Sequence, residues 1–264
     1  MKKKIVIIGG SGHVGMPLAL KFGSVNYDVV SIDKNIEANT FLNNGHVPFE
    51  EPGAEKLLKK LLKKKKILFT DDYSKVKNST IIIITVDTPM KINNKPNKRV
   101  FQVFDQIKNY LRDDHSIILR STIFPGTMEK LKNKLIKDNI KSKLSYCPER
   151  VAQGKSLDEI ENLPQIISSE NKSEIKKIKK LFNLICKKVV ELSLVEAEYS
   201  KLFCNAWRYI RFAVTNEFFM LSKEKNFNYD KVYDAITLSY PRNKDLPKQG
   251  FAAGPCLPKD ALQL

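Results

Sequence analysis

Two kinds of hydrophobic pattern alternate along the first 194 residues of the chain. Short, nearly continuous apolar runs are bounded by polar and turn-forming residues, and the segments between them repeat their apolar positions with a helical period. We predict strands over 4–8, 28–32, 67–70, 80–86, 116–120, 143–147 and 188–192. We predict helices over 14–22, 55–66, 101–111, 127–138 and 173–186. This alternation favours an α/β fold, a Rossmann-like doubly wound parallel sheet with helices on both faces.

The pattern changes near residue 195. Residues 195–225 contain no proline or glycine and predict one long helix, and a second helix is expected over 229–238. We therefore place a domain boundary there, with an α/β domain over 1–194 and a helical domain over 195–264. A long helix that leaves an α/β domain is often a domain connector or a dimer interface.

A glycine-rich turn follows the first predicted strand. Residues 10–15 read GSGHVG and lead directly into a helix. Gly10 permits a tight turn, Gly12 lets the backbone approach a pyrophosphate, and Gly15 lets the helix pack closely on the strand. The helix N-terminus then offers free N–H groups to phosphates. Asp33, 18 residues after Gly15, is placed to accept hydrogen bonds from an adenosine ribose, which favours NAD over NADP.

Polar residues stand at the carboxyl ends of three further strands, where parallel sheets bind their ligands. These segments are Thr85–Pro89, Ser121–Thr122 and Tyr146–Arg150. Together with the glycine turn, they predict a site along one edge of the sheet.

Composition and charge exclude several classes of protein. The chain has 264 residues and a net charge of +17, and most of its basic residues are lysines rather than the arginines that nucleic-acid readers favour. In the segment 55–66 the leucines form one stripe and the lysines cover the rest, as on a solvated surface helix. The apolar runs are too short for a membrane span. We expect a cytoplasmic protein that binds neither nucleic acid nor a membrane.

Cysteine and histidine usage narrows the chemistry. The four cysteines, Cys147, Cys186, Cys204 and Cys256, are widely spaced, which suggests neither a metal site nor a disulfide framework. The three histidines leave few candidates for a histidine base. We therefore expect catalysis from other side chains and no metal.

Two constellations could carry that chemistry. Lys201 and Asn205 share a helix face, where a cation and an amide can stabilise an oxyanion. The spacing alone also fits a non-catalytic alternative, in which Lys201 is a surface lysine and Asn205 lies in the helix interior. Pro258 suits the first turn of a helix, which places Cys256 just before that helix, with Lys259 nearby to favour a thiolate. An inert cysteine in a loop of small residues is the alternative.

Taken together, these motifs resemble the UDP-glucose/GDP-mannose dehydrogenase family of nucleotide-sugar dehydrogenases. The resemblance covers essentially all of the chain. It is carried by the 10–15 turn with Asp33, the segment 42–53, Thr88–Pro89, Ser121–Thr122 with 125–127, Cys147–Arg150, Ser200–Leu202 with Asn205, and Cys256 with Lys259–Asp260.

The resemblance implies NAD-dependent, four-electron oxidation of the C6 alcohol of a UDP-sugar to a uronate, a step of polysaccharide biosynthesis. Cys256 would capture the intermediate aldehyde as a thiohemiacetal, which a second oxidation converts to a thioester that water hydrolyses. Lys201 and Asn205 would stabilise oxygen charge, and Glu149 would act as acid or base through water. Thr122 and Asp260 would hold or activate that water.

The same resemblance assigns binding residues. NAD would contact Gly10, Gly12, His13, Val14, Gly15, Asp33, Thr88, Pro89, Thr122 and Lys259. The sugar nucleotide would contact Glu149, Arg150, Lys201, Asn205, Arg242 and Gly254, with Arg242 reaching across the interface of a homodimer formed through the long helix.

The chain departs from the family's pattern at several positions. Ala252–Ala253 precede the cysteine loop where many relatives have a glycine pair, and Asp87 stands where a small residue is common. Gln153 stands where UDP-glucose-oxidising relatives often carry a second glutamate. The form of Cys147–Arg150, with Gly154–Lys155 after it, resembles the UDP-N-acetylhexosamine branch more than the UDP-glucose branch. Family members also continue into a domain that binds the nucleotide sugar. We expect residues 1–264 to lack that domain, to bind NAD and to turn over UDP-sugars poorly.

Two other readings remain open. A two-domain dehydrogenase of the β-hydroxyacid type shares the nucleotide domain, the long helix and a catalytic lysine, but transfers one hydride and needs no cysteine. A catalytically silent NAD-binding protein would need only the glycine turn and Asp33.

Overall fold

The computed structural model of the chain describes residues 4–88, 98–251 and 256–264, with the backbone alone described at Cys256. The chain divides into two compact units, Met1–Lys201 and Leu202–Leu264. This division falls inside one continuous helix, a few residues beyond the boundary expected from the pattern.

The first unit is built on a sheet of six parallel strands in the spatial order β3-β2-β1-β4-β5-β6. The strands are β1 (Lys4–Ile8), β2 (Asp28–Ile32), β3 (Ile67–Thr70), β4 (Ile81–Ile84), β5 (Ser116–Leu119) and β6 (Lys143–Tyr146). A separate pair of parallel strands follows, β7 (Gln165–Ile167) and β8 (Val189–Glu191). The order reverses between β1 and β4, which opens a crevice at the carboxyl ends of these two strands.

Helices connect the strands of the first unit. They are α1 (Gly15–Ser24), α2 (Ile36–Asn43), α3 (Ala54–Lys63), α4 (Lys98–Ile107), α5 (Thr127–Lys137), α6 (Ser156–Asn162), α7 (Lys172–Phe182) and the start of α8 (Leu194–Glu224). Short 3₁₀ turns occupy Tyr73–Asn78 and Lys108–Tyr110. Parallel strands joined by helices give the Rossmann-like, doubly wound architecture that the sequence predicts.

The core lies on both faces of the large sheet. Along β1, Ile5 and Ile7 belong to one buried cluster, and Val6 and Ile8 belong to the other. Each fully buried side chain of this kind contributes about 1.5–3 kcal/mol of hydrophobic stabilisation. Burial on both faces explains why the strands appear in the sequence as continuous apolar runs rather than as alternating ones.

The second unit is helical. It contains α8 from Leu202 onward, α9 (Tyr229–Thr237), a 3₁₀ turn at Pro241–Asn243, and α10 (Cys256–Ala261). The loop after α9 is tied to α8, because the Asn216 side chain exchanges hydrogen bonds of 2.9 and 2.8 Å with the backbone of Gly250. No helix among the described residues is both long and apolar enough to cross a membrane.

The structure adds elements that the pattern missed and shifts the bounds of two expected helices. The short helices α2 and α6 were not predicted, because their few apolar positions give little periodic signal. The expected helix over 101–111 begins earlier, at Lys98, and ends at Ile107. α10 begins at Cys256 rather than just after it, and Pro258 lies within its first turn, as expected.

Candidate functional site

The turn between β1 and α1 is packed so tightly that two of its glycines are obligatory. A Cβ on Gly10 would lie 2.9 Å from the carbonyl oxygen of Ile7, and one on Gly15 would lie 2.4 Å from the carbonyl oxygen of Gly9. Gly9 itself has a φ of +80°, a conformation that favours glycine. These contacts bring the N-terminus of α1 against the end of β1.

Gly12 differs from its neighbours, because the protein's own packing does not require a glycine there. A Cβ at this position would meet only the carbonyl oxygen of Gly9, at an ordinary 3.7 Å. No side chain caps the N-terminus of α1 at Val14. The open space at Gly12 beside an uncapped helix N-terminus fits a dinucleotide pyrophosphate, which needs close approach of backbone N–H groups.

The Asp33 carboxylate is oriented from two sides. Its Oδ2 accepts a hydrogen bond of 3.2 Å from the backbone N–H of Ser11, in the glycine turn, and its Oδ1 accepts one of 3.1 Å from the N–H of Asn35. Each oxygen retains a further lone pair. Asp33 therefore stands at the carboxyl end of β2 as a fixed acceptor beside the turn, where an adenosine ribose is expected.

His13, in the same turn, is held by an aromatic contact. Its ring centroid lies 4.0 Å from that of Phe49. Partial burial lowers the pKa of His13, and the negative charge of Glu51 opposes that change only in part. His13 is thus a neutral imidazole near pH 7 rather than a cation beside the phosphates.

The ends of β4 and β5 are linked through their threonine and serine side chains. Thr88 donates a hydrogen bond of 2.8 Å to the carbonyl oxygen of Thr122, and Ser121 donates one of 2.6 Å to that of Val86. Thr88 and Thr122 are therefore neighbours at the carboxyl edge. The exposed Asp87 forms an ion pair with Arg99 at the start of α4, and the predicted contact Pro89 lies outside the described residues.

Glu149, beyond the end of β6, is held by contacts to both of its carboxylate oxygens. Its Oε2 pairs with the guanidinium of Arg120. Its Oε1 accepts hydrogen bonds of 2.8 and 3.2 Å from the backbone N–H groups of Arg150 and Val151. Burial acts to raise the pKa of Glu149, but Arg120 and these hydrogen bonds together lower it. Glu149 is therefore a carboxylate anion near neutral pH.

Arg120 was not among the residues predicted from the sequence. Its side chain is 1% exposed, and it also donates a hydrogen bond of 2.8 Å to the Oε1 of Gln165. The sequence feature that could have pointed to Arg120 is its position directly after a buried strand, at the edge where ligands bind. The side chain of Arg150 donates a hydrogen bond to the carbonyl oxygen of Pro164.

Glu198, on α8, is a second residue that the sequence did not reveal. Its carboxylate accepts hydrogen bonds of 2.8 Å from the N–H of Gly126 and 2.9 Å from that of Met128. These are free donors at the N-terminus of α5, whose own N-cap residue, Gly126, has no side chain to supply. The predicted Lys201 lies three positions further along α8 and is half-buried.

In the second unit, Asn205 and Asp260 are brought together. Both are nearly buried, and the Asn205 amide donates to Oδ2 of Asp260. Lys259 forms an ion pair of 2.9 Å with the other carboxylate oxygen. This contact ties α10 to α8 and makes Asn205 a helix-interior amide with a fixed partner.

The remaining predicted residues divide into two groups. Arg242 is exposed and donates a hydrogen bond of 3.1 Å to the hydroxyl of Tyr240. Gly254 and the side chain of Cys256 lie outside the described residues.

Among the other cysteines, burial raises the pKa of Cys147 to about 12 and also raises that of Cys186, so neither is suited to be a nucleophile.

The strand order, the glycine turn and the oriented Asp33 define a dinucleotide-binding protein with a helical second unit. Residues 3–186 match the NAD binding domain of the UDP-glucose/GDP-mannose dehydrogenase family, and residues 195–264 match its central domain. The chain belongs to the UDP-glucose/GDP-mannose dehydrogenase family, and the dinucleotide that its first unit accommodates is NAD.

Known relatives are longer than this chain. UDP-N-acetyl-D-mannosamine dehydrogenase from Pyrococcus horikoshii is 29% identical over 97% of this chain and 62% of its own length. The solved structure of the P. horikoshii enzyme covers 99% of this chain with a TM-score of 0.92 at 28% identity, and 63% of that structure is matched. GDP-mannose 6-dehydrogenase from Pseudomonas syringae pv. tomato is 27% identical, over 98% of this chain and 63% of its own length. The chain thus spans about 60% of these relatives.

The fold is shared more widely than the family. 3-Hydroxyisobutyrate dehydrogenase from Mycobacterium tuberculosis matches 91% of this chain and 72% of its own with a TM-score of 0.66, at 13% identity. That likeness concerns the fold alone.

Proposed function

We propose that the protein is an NAD-dependent nucleotide-sugar 6-dehydrogenase that oxidises the C6 alcohol of a UDP-sugar to a uronate through a cysteine thioester. The observation that carries the proposal is the ionised Glu149 at the same sheet edge as the glycine turn and Asp33, in a chain that belongs to this family. A site that holds NAD beside a fixed carboxylate suits an oxidation that releases protons.

The first unit would hold the coenzyme. Gly10, Gly12 and Gly15 form the pyrophosphate turn, and Asp33 accepts hydrogen bonds from the ribose. Bound there, NAD would supply the hydride acceptor for the C6 carbon, with a fresh NAD molecule needed for the second oxidation. Thr88 and Thr122 border the same edge.

Glu149 would act as the base, through water. Three hydrogen-bond donors keep Glu149 ionised, so it begins the reaction unprotonated, as a base must, while the same donors limit its basicity. The hydroxyl of Thr122 would hold that water.

The second half of the proposal concerns the nucleophile and the groups around developing charge. The Cys256 thiolate would add to the C6 aldehyde, giving a thiohemiacetal whose oxidation leaves a thioester for hydrolysis. Lys201 and Asn205 would stabilise the oxyanions of both intermediates. Asp260, which accepts a hydrogen bond from the Asn205 amide, would hold that amide in one orientation and help to activate water. Arg150, Arg242 and Gly254 would contact the sugar nucleotide.

We further propose a UDP-N-acetylhexosamine as the substrate, with UDP-glucose as the alternative. Relatives from P. horikoshii and Methanococcus maripaludis are UDP-N-acetyl-D-mannosamine dehydrogenases, which supports the first choice. We also propose an NAD-binding domain over 1–194 and a central domain over 195–264, which the family matches over 3–186 and 195–264 support.

The long helix would serve as a homodimer interface. Beyond residue 201, α8 exposes large apolar side chains along its length, among them Phe203, Trp207, Ile210 and Phe218. An apolar surface of this size on one helix suits contact with another protein surface. Light scattering would report a dimer, and Trp207→Asp would shift the population towards monomers.

Counting the NADH formed per sugar tests the function. The full-length protein is incubated with a panel of UDP- and GDP-sugars, NADH is followed by absorbance, and the product is identified by mass spectrometry. Two NADH per sugar and a uronate product support the proposal. One NADH per substrate favours the β-hydroxyacid type, and bound NAD without any NADH favours a silent NAD-binding protein.

A further inference from the structure

A closed ring of polar contacts joins the glycine turn to the end of β2. The Ser11 hydroxyl donates a hydrogen bond of 2.6 Å to Oδ1 of Asn39, and the Asn39 amide donates one of 2.8 Å to the carbonyl oxygen of Asp33. The ring closes where the Ser11 N–H donates to the Asp33 carboxylate. Ser11 and Asn39 are only 5% and 4% exposed, so water does not compete for these groups.

We propose that Asn39, on α2, is a positioning residue for the coenzyme's adenosine ribose. It binds Asp33 through the backbone and the glycine turn through Ser11, and so fixes the distance between the ribose acceptor and the pyrophosphate turn. This inference rests on NAD binding by the first unit and is independent of the dehydrogenase reaction proposed above.

The surroundings of Asn39 make it suited to this role. Asn35 caps the start of α2 by accepting a hydrogen bond of 3.0 Å from the N–H of Ala38, and the Asn35 N–H donates to Oδ1 of Asp33. The first turns of α2 therefore hold both the side chain and the backbone of Asp33. Within this arrangement, the Asn39 side chain bridges α2 to the turn.

An apolar side chain of similar size at position 39 would fill the space but break the ring. The Ser11 hydroxyl would lose its acceptor, and the Asp33 carbonyl would lose its donor. Because buried polar groups without partners are costly, the turn and the end of β2 would shift to find other partners. The Asp33 carboxylate would then no longer be held at one distance from the turn.

A purely structural role for Asn39 is separable from positioning by a matched control on the same helix. Asn43 also makes two hydrogen bonds, to the N–H and carbonyl of Phe69 on β3, at 3.1 and 2.8 Å. Asn43→Leu therefore loosens α2 from the sheet without touching Ser11 or Asp33. It should lower the melting temperature and leave the Kd for NAD within twofold.

The experiment measures NAD and NADP binding to the 264-residue chain by calorimetry. Asn39→Leu should raise the Kd for NAD by roughly tenfold, the equivalent of one or two lost hydrogen bonds. It should also reduce the ratio of the Kd for NADP to the Kd for NAD, since a loosely held Asp33 carboxylate repels the 2′-phosphate of NADP less. Ser11→Ala, a smaller change, should raise the same Kd by roughly threefold.

A double-mutant cycle decides how Asn39 acts. If it acts through Asp33, Asn39→Leu should change the Kd less than twofold in an Asp33→Ala background. Three results would each overturn the proposal. They are an equally large effect of Asn39→Leu on the Kd in the Asp33→Ala background, an unchanged Kd for NAD in Asn39→Leu or Ser11→Ala alone, and an equally large rise of the Kd in Asn43→Leu. A native chain that does not bind NAD would overturn it as well. A full-length protein that forms no uronate would contradict the proposed function and leave this inference standing.

Discussion

The carboxylate of Glu149 is paired with the guanidinium of Arg120, and their side chains are only 11% and 1% exposed. The same guanidinium lies 5.1 Å from the ring centroid of Phe182, which packs against it from the core. A buried ion pair of this kind is worth little over an apolar replacement, but breaking it leaves one charge stranded. Its value here is therefore in the state of Glu149, which it keeps ionised and in one place.

Arg120→Met should destabilise the first unit by about 3–5 kcal/mol near pH 7, because it strands the Glu149 anion. The pKa of Glu149 fixes how the stabilisation by this ion pair depends on pH. The pKa of Glu149 is lower in the folded chain than in the unfolded one, so the pair's contribution is fully present above the ordinary pKa of a glutamic acid. It is lost as the pH falls through the folded-state pKa. Urea unfolding of both chains at pH 7 and at several values below the ordinary pKa of a glutamic acid should show the difference shrinking as the pH falls; a constant difference would contradict an ionised Glu149.

Glu149→Gln should separate binding from catalysis. The amide keeps the size of the side chain but cannot take up a proton, so uronate formation in the full-length protein should fall by about 10²–10⁴-fold. The Kd for NAD should change little, because the hydrogen-bond partners of Glu149 are Arg120 and the backbone of Arg150 and Val151, which lie outside the glycine turn. Steady-state rates measure the loss of uronate formation, and calorimetry measures the Kd for NAD. Unchanged turnover would remove Glu149 from the mechanism.

Cys256→Ser should abolish uronate formation while NAD binding is retained, because a serine cannot form the thioester through which the second oxidation proceeds. Cys204→Ser is the matched control, since Cys204 is an exposed cysteine on α8 with no proposed role. The assay counts NADH and follows the acid product by mass spectrometry. If the two variants behave alike, the cysteine mechanism fails.

Glu198→Ala should destabilise the first unit by about 1–3 kcal/mol, because α5 loses the carboxylate that caps its N-terminus and two donors lose their acceptor. Glu196→Ala serves as the comparison. Glu196 accepts a hydrogen bond of 2.7 Å from the N–H of Ser193, but at an exposed helix end. Its removal should therefore have a clearly smaller effect on the free energy of unfolding. Equal losses would show that the contact with α5 is unimportant.

The binding turn was the most predictable part of the site, because its chemistry is local. Gly10, Gly12 and Gly15 stand within one turn, and the apolar runs on either side of them are continuous in sequence. The acceptor Asp33 could be found by its spacing alone. A predicted parallel sheet then implied that the polar segments after β4, β5 and β6 lie on one edge.

The partners that orient these groups could not be predicted in the same way. Ser11 and Asn39 are 28 positions apart, and Glu198 is 72 positions from Gly126. Nothing in a periodic pattern records which distant side chain meets which backbone donor. The start of α10 was expected just after Cys256 rather than at Cys256, since a short helix has too few turns for its period to fix the first residue.

By itself, the sequence determined the alternation of strands and helices, the glycine turn and the acidic residue that follows it, because each depends on neighbours along the chain. Only the tertiary structure decided the strand order, the ionised state of Glu149 and the ring through Asn39. These depend on burial and on contacts between segments far apart in sequence. Burial removes water as a competing partner, and only then do single hydrogen bonds and charges fix where a functional group stands and whether it carries a proton.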